Sequence, residues 1–269
     1  MNIKINISPC PNDTFMFHAM LNGLVDSEGL KFDVEFADIE QLNLNAINQT
    51  QSVTKISCAI INEIRDRYKI LLSGAALGFG NGPLIISKDN ISKNNLGGKT
   101  IAVPGFHTTA YALMRKLFPE VDNYKPYIFY QVMPAVLNGE CNAGVLIHEE
   151  RFSFQNYGAK LITDLGLEWE QKTNLPLPLG AIAVSQSIHP DLQMKINRTL
   201  ERSIQYAFAH PKESRQFVRE HCRDLSEQVI DNHIKMFVNE YSINIGTDGR
   251  LAIKTLNNLN PNTAIFIDE

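Results

Sequence analysis

The chain has 269 residues, of which 44% are hydrophobic and 20% are charged, and these proportions exclude a disordered or fibrous protein. Its length suits one large domain or two modest ones, at about 100–200 residues per domain. The formal net charge is −4, whereas proteins that bind nucleic acid carry a basic surplus. Apolar runs fall short of the roughly 18 residues that span a membrane. We therefore expect a soluble protein with neither nucleic-acid nor membrane partners.

The first residues, Met1 to Ile7, alternate apolar and polar side chains where a secretory signal would place an unbroken apolar block. We therefore expect a cytoplasmic protein. The four cysteines lie far apart and form no C-x-x-C pair, which argues against a zinc knuckle or a thioredoxin-type site. All four are predicted to be reduced thiols: Cys10, Cys58, Cys141 and Cys222.

Strands and helices alternate along the first third of the chain. Apolar residues that alternate or run unbroken predict strands at 3–7, 31–37, 53–57, 69–73 and 84–87. Helical spacing predicts a helix that begins at Pro11 and further helices at 39–47 and 58–65. A glycine-rich break at 78–83 precedes the last of these strands. This break predicts a boundary between two structural blocks.

A second alternating series follows, and then the pattern changes. Strands are predicted at 100–103, 127–130, 143–147, 160–163 and 181–185, and helices at 109–118 and 133–138. The remaining chain reads as helical, with helices beginning near Asp191, Ser214, Ser226 and Asp248. The helix from Asp191 shows an apolar stripe of residues four apart: Leu192, Ile196, Leu200, Ile204 and Phe208.

Repeated strand–helix units predict an α/β protein with two parallel-rich sheets flanked by helices. The closing helices have no strands of their own, so we expect them to return to the first sheet. The first lobe would then comprise residues 1–85 and 181–269, and the second lobe residues 86–180. Two lobes joined in this way predict a central cleft, and ligands of such sheets lie beyond the carboxyl ends of the strands.

The end of the first strand places Asn12, Asp13 and Thr14 at the start of a helix, where free N–H groups attract anions. These side chains are either part of a binding site or simple caps of the helix. Cys10 beside them is either a thiol activated by the helix or a small buried residue.

The third predicted strand carries Lys55, Ile56 and Ser57 before the next helix. Lys55 and Ser57 point to the same face, so an ammonium and a hydroxyl could together hold a carboxylate. A lysine inside an apolar, β-branched run is uncommon, which favours a binding role over a solvated edge position.

The strand at 100–103 repeats this geometry, because Thr108, Thr109 and Ala110 begin the helix that follows it. Thr108 could cap that helix while the N–H groups of the next residues bind a carboxylate. The glycines between 78 and 82 lack the G-x-G-x-x-G spacing of dinucleotide-binding proteins. They are interpreted as a hinge or a tight crossover that admits a ligand.

His148 ends an apolar strand and is followed by Glu149 and Glu150. It is either a base, whose protonation these neighbours would influence, or a hydrogen-bonded structural residue. The sequence contains no H-E-x-x-H or G-x-S-x-G motif and no metal-ligand spacing. The residues alone thus predict a cofactor-independent, metal-free site that binds a small anionic molecule.

The stretch from Ser8 to Phe15 reads S-P-C-P-N-D-T-F. Together with 53–57, 104–110 and 144–152, it resembles the 1,4-dihydroxy-6-naphthoate synthase family of the futalosine route to menaquinone. The resemblance runs along nearly the whole chain. It implies the fold of type II periplasmic solute-binding proteins without export.

The resemblance also implies a lyase that cleaves cyclic dehypoxanthinyl futalosine into 1,4-dihydroxy-6-naphthoate and a dihydroxyacetone fragment. His148 matches the proposed base of the family. The implied substrate-binding residues are Asn12, Asp13, Lys55, Ile56, Ser57, Thr108, Thr109 and Ala110. Two alternatives stay open: the sister enzyme chorismate dehydratase, and a solute-binding or sensory protein of the same fold. The oligomeric state is not predicted.

Overall fold

The computed structural model describes residues 2–48, 51–222 and 225–269. The chain divides into two compact units, one formed by Met1–Gly78 with Pro178–Glu269 and the other by Phe79–Leu177. These limits lie a few residues from the expected boundaries at 85/86 and 180/181. The predicted strand at 84–87 lies wholly inside the second unit, because it pairs only with strands of that unit.

Strands and helices alternate through most of the chain. The strands are β1 (Asn2–Ile7), β2 (Lys31–Phe36), β3 (Val53–Ser57), β4 (Tyr68–Ile70), β5 (Ala76–Gly78), β6 (Leu84–Ser87), β7 (Thr100–Val103), β8 (Asn123–Pro126), β9 (Ala143–Leu146), β10 (Lys160–Asp164) and β11 (Leu177–Ser185). The helices are α1 (Pro11–Leu21), α2 (Ile39–Ile47), α3 (Ile61–Ile64), α4 (Thr109–Leu117), α5 (Val132–Leu137), α6 (Leu165–Thr173), α7 (Pro190–Ala209), α8 (Arg215–His221), α9 (Glu227–Phe237), α10 (Glu240–Ile243) and α11 (Gly246–Leu256).

The first unit contains a mixed sheet with the strand order β2-β1-β3-β11-β4, and β5 also pairs with β11. Strands β1, β2 and β3 are parallel, whereas β11 runs antiparallel to β3 and β4. The carboxyl ends of β1 and β3 therefore lie at the same edge of the sheet. This edge carries the first group of candidate residues.

The helical tail completes the first unit. Helix α7 packs against α1, and the middle of its apolar stripe is buried, with Ile196, Leu200 and Ile204 in the same core cluster as Ile5. Phe208 ends the stripe and is exposed, although its ring contacts that of Phe15. The stripe thus predicted the packing face of α7, although Leu192 at its start is only partly buried and Phe208 at its end is exposed.

The second unit contains a sheet with the strand order β10-β6-β9-β7-β8. Strand β7 is parallel to β8 and β9, whereas β6 is antiparallel to β9 and β10. The architecture is therefore α/β with two parallel-rich but mixed sheets.

Two predicted elements differ most clearly from the structure. The strand expected at 127–130 lies at Asn123–Pro126, and Phe129–Gln131 forms a 3-10 turn. The helix expected at 58–65 is divided into a 3-10 turn, Cys58–Ile60, and the short helix α3. Strand β5 and helix α6 were not predicted, whereas α10 lies in the stretch that was predicted only as generally helical.

The glycine-rich break ends at a close contact between two backbone segments of the second unit. A Cβ atom at Gly82 would lie 2.1 Å from the backbone nitrogen of Gly166, which begins α6 with Leu165. Arg151 donates to the Gly82 carbonyl at 2.8 Å and pairs with Asp164, whose carboxylate caps α6. Gly82 therefore serves the packing of α6, because any side chain there would collide with backbone.

No helix among the described ranges is long and apolar enough to cross a membrane. None of the four cysteines forms a disulfide, as predicted. Burial raises the pKa of the Cys58 thiol to about 12, so this residue stays protonated and unreactive at neutral pH.

Candidate functional site

The first group of candidate residues lies where β1 ends and α1 begins. Cys10 occupies the N-cap position of α1, Pro11 follows as the first helical residue, and no side chain at the N-cap bonds to the helix. The alternative that Asn12, Asp13 or Thr14 caps this helix is therefore wrong. Thr14 instead donates its hydroxyl to the Cys10 carbonyl at 3.0 Å.

Asp13 is fully buried and accepts four hydrogen bonds. Its Oδ2 atom accepts from the backbone N–H of Ser8 at 3.2 Å and from the Ser8 hydroxyl at 2.6 Å. Its Oδ1 atom accepts from the Asn12 amide at 2.9 Å and from the Lys55 ammonium at 2.5 Å. The carboxylate thus ties the start of α1 to Ser8, the first residue of the S-P-C-P stretch, and to strand β3.

Lys55 is buried in β3, with only 6% of its side chain exposed, and forms an ion pair with Asp13. The neighbouring strand leaves little room beside it. A Cβ atom at Gly180 of β11 would lie 3.0 Å from Lys55 Cε and 3.0 Å from the Ile56 carbonyl oxygen. The ammonium is therefore held in place by its ion pair and by the close approach of β11.

Ser57 ends β3 and is held by Asn43 of α2. Asn43 accepts from the Ser57 backbone N–H at 2.8 Å and donates to the Ser57 hydroxyl oxygen at 2.9 Å. Because the hydroxyl oxygen accepts from Asn43, its own proton is directed elsewhere. Lys55, Ile56 and Ser57 are all buried, so this edge of the sheet is not a solvated surface.

The second group lies in the other unit, where β7 leads into α4. Thr108 is the N-cap: its hydroxyl oxygen accepts from the backbone N–H of Tyr111 at 3.2 Å and donates to the Gly105 carbonyl at 2.9 Å. Thr109 and Ala110 are buried in the first turn of α4. The first turn contains no acidic residue, so no carboxylate of this turn neutralises the positive end of the helix dipole.

His148 follows β9 and begins a 3-10 turn, His148–Phe152, rather than an α-helix. Its backbone is in the left-handed region, with φ at 59°, which is uncommon for a residue other than glycine. The imidazole packs edge-on against Phe129, with ring centroids 4.9 Å apart. A carboxylate oxygen of Glu149 lies within 4.8 Å of an imidazole nitrogen. Backbone strain of this kind is concentrated at functional sites.

Glu150 is the most perturbed carboxyl in this turn. Burial, together with the negative charge of Glu149, raises its pKa to about 7, and the positive charge of protonated His148 acts in the opposite direction. Its Oε2 atom is buried and has no hydrogen-bond partner among the described residues. The turn therefore holds four ionisable side chains, His148, Glu149, Glu150 and Arg151, and the Glu150 carboxyl titrates near neutral pH.

We expect Glu150→Gln to change how stability depends on pH. The folded protein binds the Glu150 proton more tightly than the unfolded chain does, so this group stabilises the fold at low pH, and the contribution is lost as pH rises through about 7. The free energy of unfolding of Glu150→Gln, relative to that of the unchanged protein, should therefore rise by about 1 to 3 kcal/mol between pH 5 and pH 8. Urea unfolding at both pH values measures this difference, with the exposed Glu120→Gln variant of the same unit as control. Equal pH dependence in all three proteins would contradict it.

A family profile described as menaquinone biosynthesis matches residues 3–260. The chain belongs to the menaquinone-biosynthesis family. Within this family, it is 39% identical to a 1,4-dihydroxy-6-naphthoate synthase of Thermus thermophilus over 94% of this chain and 92% of that one. It is 38% identical to the synthase of Streptomyces coelicolor over 94% and 91% of the two chains. The family resemblance of the sequence is thereby confirmed.

Solved structures agree on the fold. A protein of Archaeoglobus fulgidus is 35% identical, covers 95% of each chain and superposes with a TM-score of 0.87. A Candida albicans protein described as having the generic periplasmic-binding-protein fold superposes with a TM-score of 0.68 at 14% identity, over 100% of this chain and 94% of that one. The predicted fold class is confirmed for this member of the menaquinone-biosynthesis family.

Sequence reasoning missed the partners of its own candidate residues. Ser8 and Asn43 bind the side chains of Asp13 and Ser57, yet neither was a candidate. Ser8 stands within the S-P-C-P-N-D-T-F motif, which could have drawn attention to it. Asn43 lies in α2 among other polar residues, and no feature of the sequence distinguishes it from them.

Proposed function

We propose that this chain is a 1,4-dihydroxy-6-naphthoate synthase, a carbon–carbon lyase of menaquinone biosynthesis. It would convert cyclic dehypoxanthinyl futalosine into 1,4-dihydroxy-6-naphthoate and a dihydroxyacetone fragment. The observation that carries this proposal is the 38–39% identity to two synthases of this name along nearly the whole chain. A cytoplasmic location belongs to the same proposal, since these relatives are biosynthetic enzymes.

In this proposal His148 is the general base. A base must lie at the substrate, and His148 follows the carboxyl end of β9, the usual ligand-binding edge of such a sheet. Glu149, within 4.8 Å of the ring, would stabilise the imidazolium that forms when His148 accepts the proton. The gain of an aromatic ring in the product would favour the cleavage.

Candidate substrate-binding groups are found within each unit. In the first unit, the Lys55 ammonium and the Ser57 hydroxyl are hydrogen-bond donors at the end of β3, with Ile56 between them. In the second unit, Thr109 and Ala110 offer the backbone N–H groups of the first turn of α4, with Thr108 as the cap. A substrate carboxylate is well suited to that helix terminus. The proposal assigns no cofactor.

The purified protein should form 1,4-dihydroxy-6-naphthoate when incubated with cyclic dehypoxanthinyl futalosine. Mass spectrometry of product and residual substrate measures this conversion, and a parallel incubation with chorismate tests the sister dehydratase reaction. Product from chorismate alone would overturn the proposal in favour of the dehydratase. Calorimetric binding of the futalosine derivative with no conversion would instead indicate a solute-binding protein.

A further inference from the structure

Asp13 has no capacity left for a substrate. An ionised carboxylate offers about four lone-pair positions, and the two oxygens of Asp13 already accept from Ser8 twice, from Asn12 and from Lys55. The side chain is also fully buried. The sequence predicted that Asp13 binds substrate. In the structure, its four hydrogen bonds are all to other groups of the protein.

The ion pair removes the net charge from this edge of the sheet. Asp13 is the charged partner of Lys55 among the described residues, and their side chains are 0% and 6% exposed. At low local dielectric, the field of the ammonium is largely cancelled by the carboxylate 2.5 Å away. An anion bound to the Lys55 ammonium would also lie about 4 to 5 Å from the Asp13 carboxylate, given ordinary hydrogen-bond lengths, and would be repelled by it.

Hydrogen-bond donors nevertheless remain at this edge. An ammonium has three N–H bonds, and Lys55 uses one of them on Asp13, with no second partner among the described residues. Ser57 accepts from Asn43 and so keeps its O–H proton available. Lys55 and Ser57 lie two positions apart in β3 and share one face. The edge thus carries hydrogen-bond donors, and the charge of its ammonium is balanced by the Asp13 carboxylate.

We propose that Asp13 is a specificity-determining positioning residue: it neutralises and aims Lys55, so that this edge binds uncharged hydroxyl or carbonyl oxygens of the substrate and rejects its carboxylate. This inference rests on the proposed function for the identity of the substrate. It assigns the polyol part of the substrate to this edge of the first unit. The position of the ammonium depends on Asp13 on one side and on the Cβ-free Gly180 on the other.

The test uses inorganic sulfate as an anionic probe. In Asp13→Asn the Lys55 ammonium loses its countercharge, so sulfate should inhibit this variant competitively with an inhibition constant at least about tenfold lower than in the unchanged protein. The KM for substrate should rise more than kcat falls. Adding Lys55→Met to Asp13→Asn should abolish the gain in sulfate affinity. Chloride at matched ionic strength and the exposed Asp33→Asn variant serve as controls.

A purely structural role for Asp13 predicts a different result: lower stability and activity with no new sulfate affinity, which would overturn the proposal. Sulfate-dependent rises in Tm report the same affinity without turnover, because a ligand that binds the folded state stabilises it. The effect of sulfate on Tm therefore tests this inference even if the proposed reaction is not observed. If Asp13→Asn does not fold, the unchanged protein and Lys55→Met are compared. Equal sulfate binding supports the proposal, and a tenfold loss in Lys55→Met contradicts it.

Discussion

His148→Asn should lower kcat by about 10²- to 10⁴-fold, the usual contribution of a general base, while the Kd for substrate changes little. The expected difference between the effects on kcat and on Kd follows from the proposed role of His148. His148 would act on the proton that moves in the reaction, whereas the binding groups are on β3 and α4. Single-turnover kinetics and calorimetric binding must be measured separately, because KM alone does not report affinity.

Asparagine is the appropriate replacement at this position. The backbone of His148 is left-handed, with φ at 59°, and asparagine tolerates that region better than alanine or glutamine does. The fold should therefore persist, which circular dichroism and Tm can verify. His189→Asn is a matched control, since His189 is the exposed N-cap of α7 and asparagine also caps helices well. Near-normal turnover of His148→Asn would remove this histidine from the chemistry.

The sequence located most accurately the strands whose residues form a clear apolar pattern. Strands β3, β6 and β7 have the predicted bounds, because each is a short apolar or β-branched run. Strand β8 was misplaced by four residues. It lies at the edge of its sheet, is mostly exposed and ends in Pro126, so it has neither apolar alternation nor the usual composition of a strand.

The sequence named candidate residues but did not show the hydrogen bonds and ion pairs that connect them. Lys55 was singled out because a lysine in an apolar strand is unusual. Its partner Asp13 lies 42 positions earlier, and no local pattern joins the two. The same limit applies to Glu150: its position beside His148 was evident, but its raised pKa arises from burial, which depends on the folded chain.

Lys55→Met should destabilise the protein by about 3 to 5 kcal/mol, because it leaves the buried Asp13 carboxylate without its countercharge. Methionine preserves most of the side-chain volume beside Gly180, so the loss reports the charge rather than a cavity. Asp13 would keep its hydrogen bonds from Ser8 and Asn12, which moderate the cost without removing it. Urea unfolding at pH 7 measures the change in the free energy of unfolding.

The double variant Lys55→Met, Asp13→Asn should recover a substantial part of this loss, since a buried pair replaced by two neutral groups leaves no unpaired charge. The matched control is Lys4→Met, which breaks the exposed pair between Lys4 and Glu35 on the same sheet. Exposed pairs contribute about 0 to 1 kcal/mol, so the control should be nearly neutral. If Lys55→Met were as mild as Lys4→Met, the pair would be solvated in solution, and the neutral edge inferred for β3 would lose its physical basis.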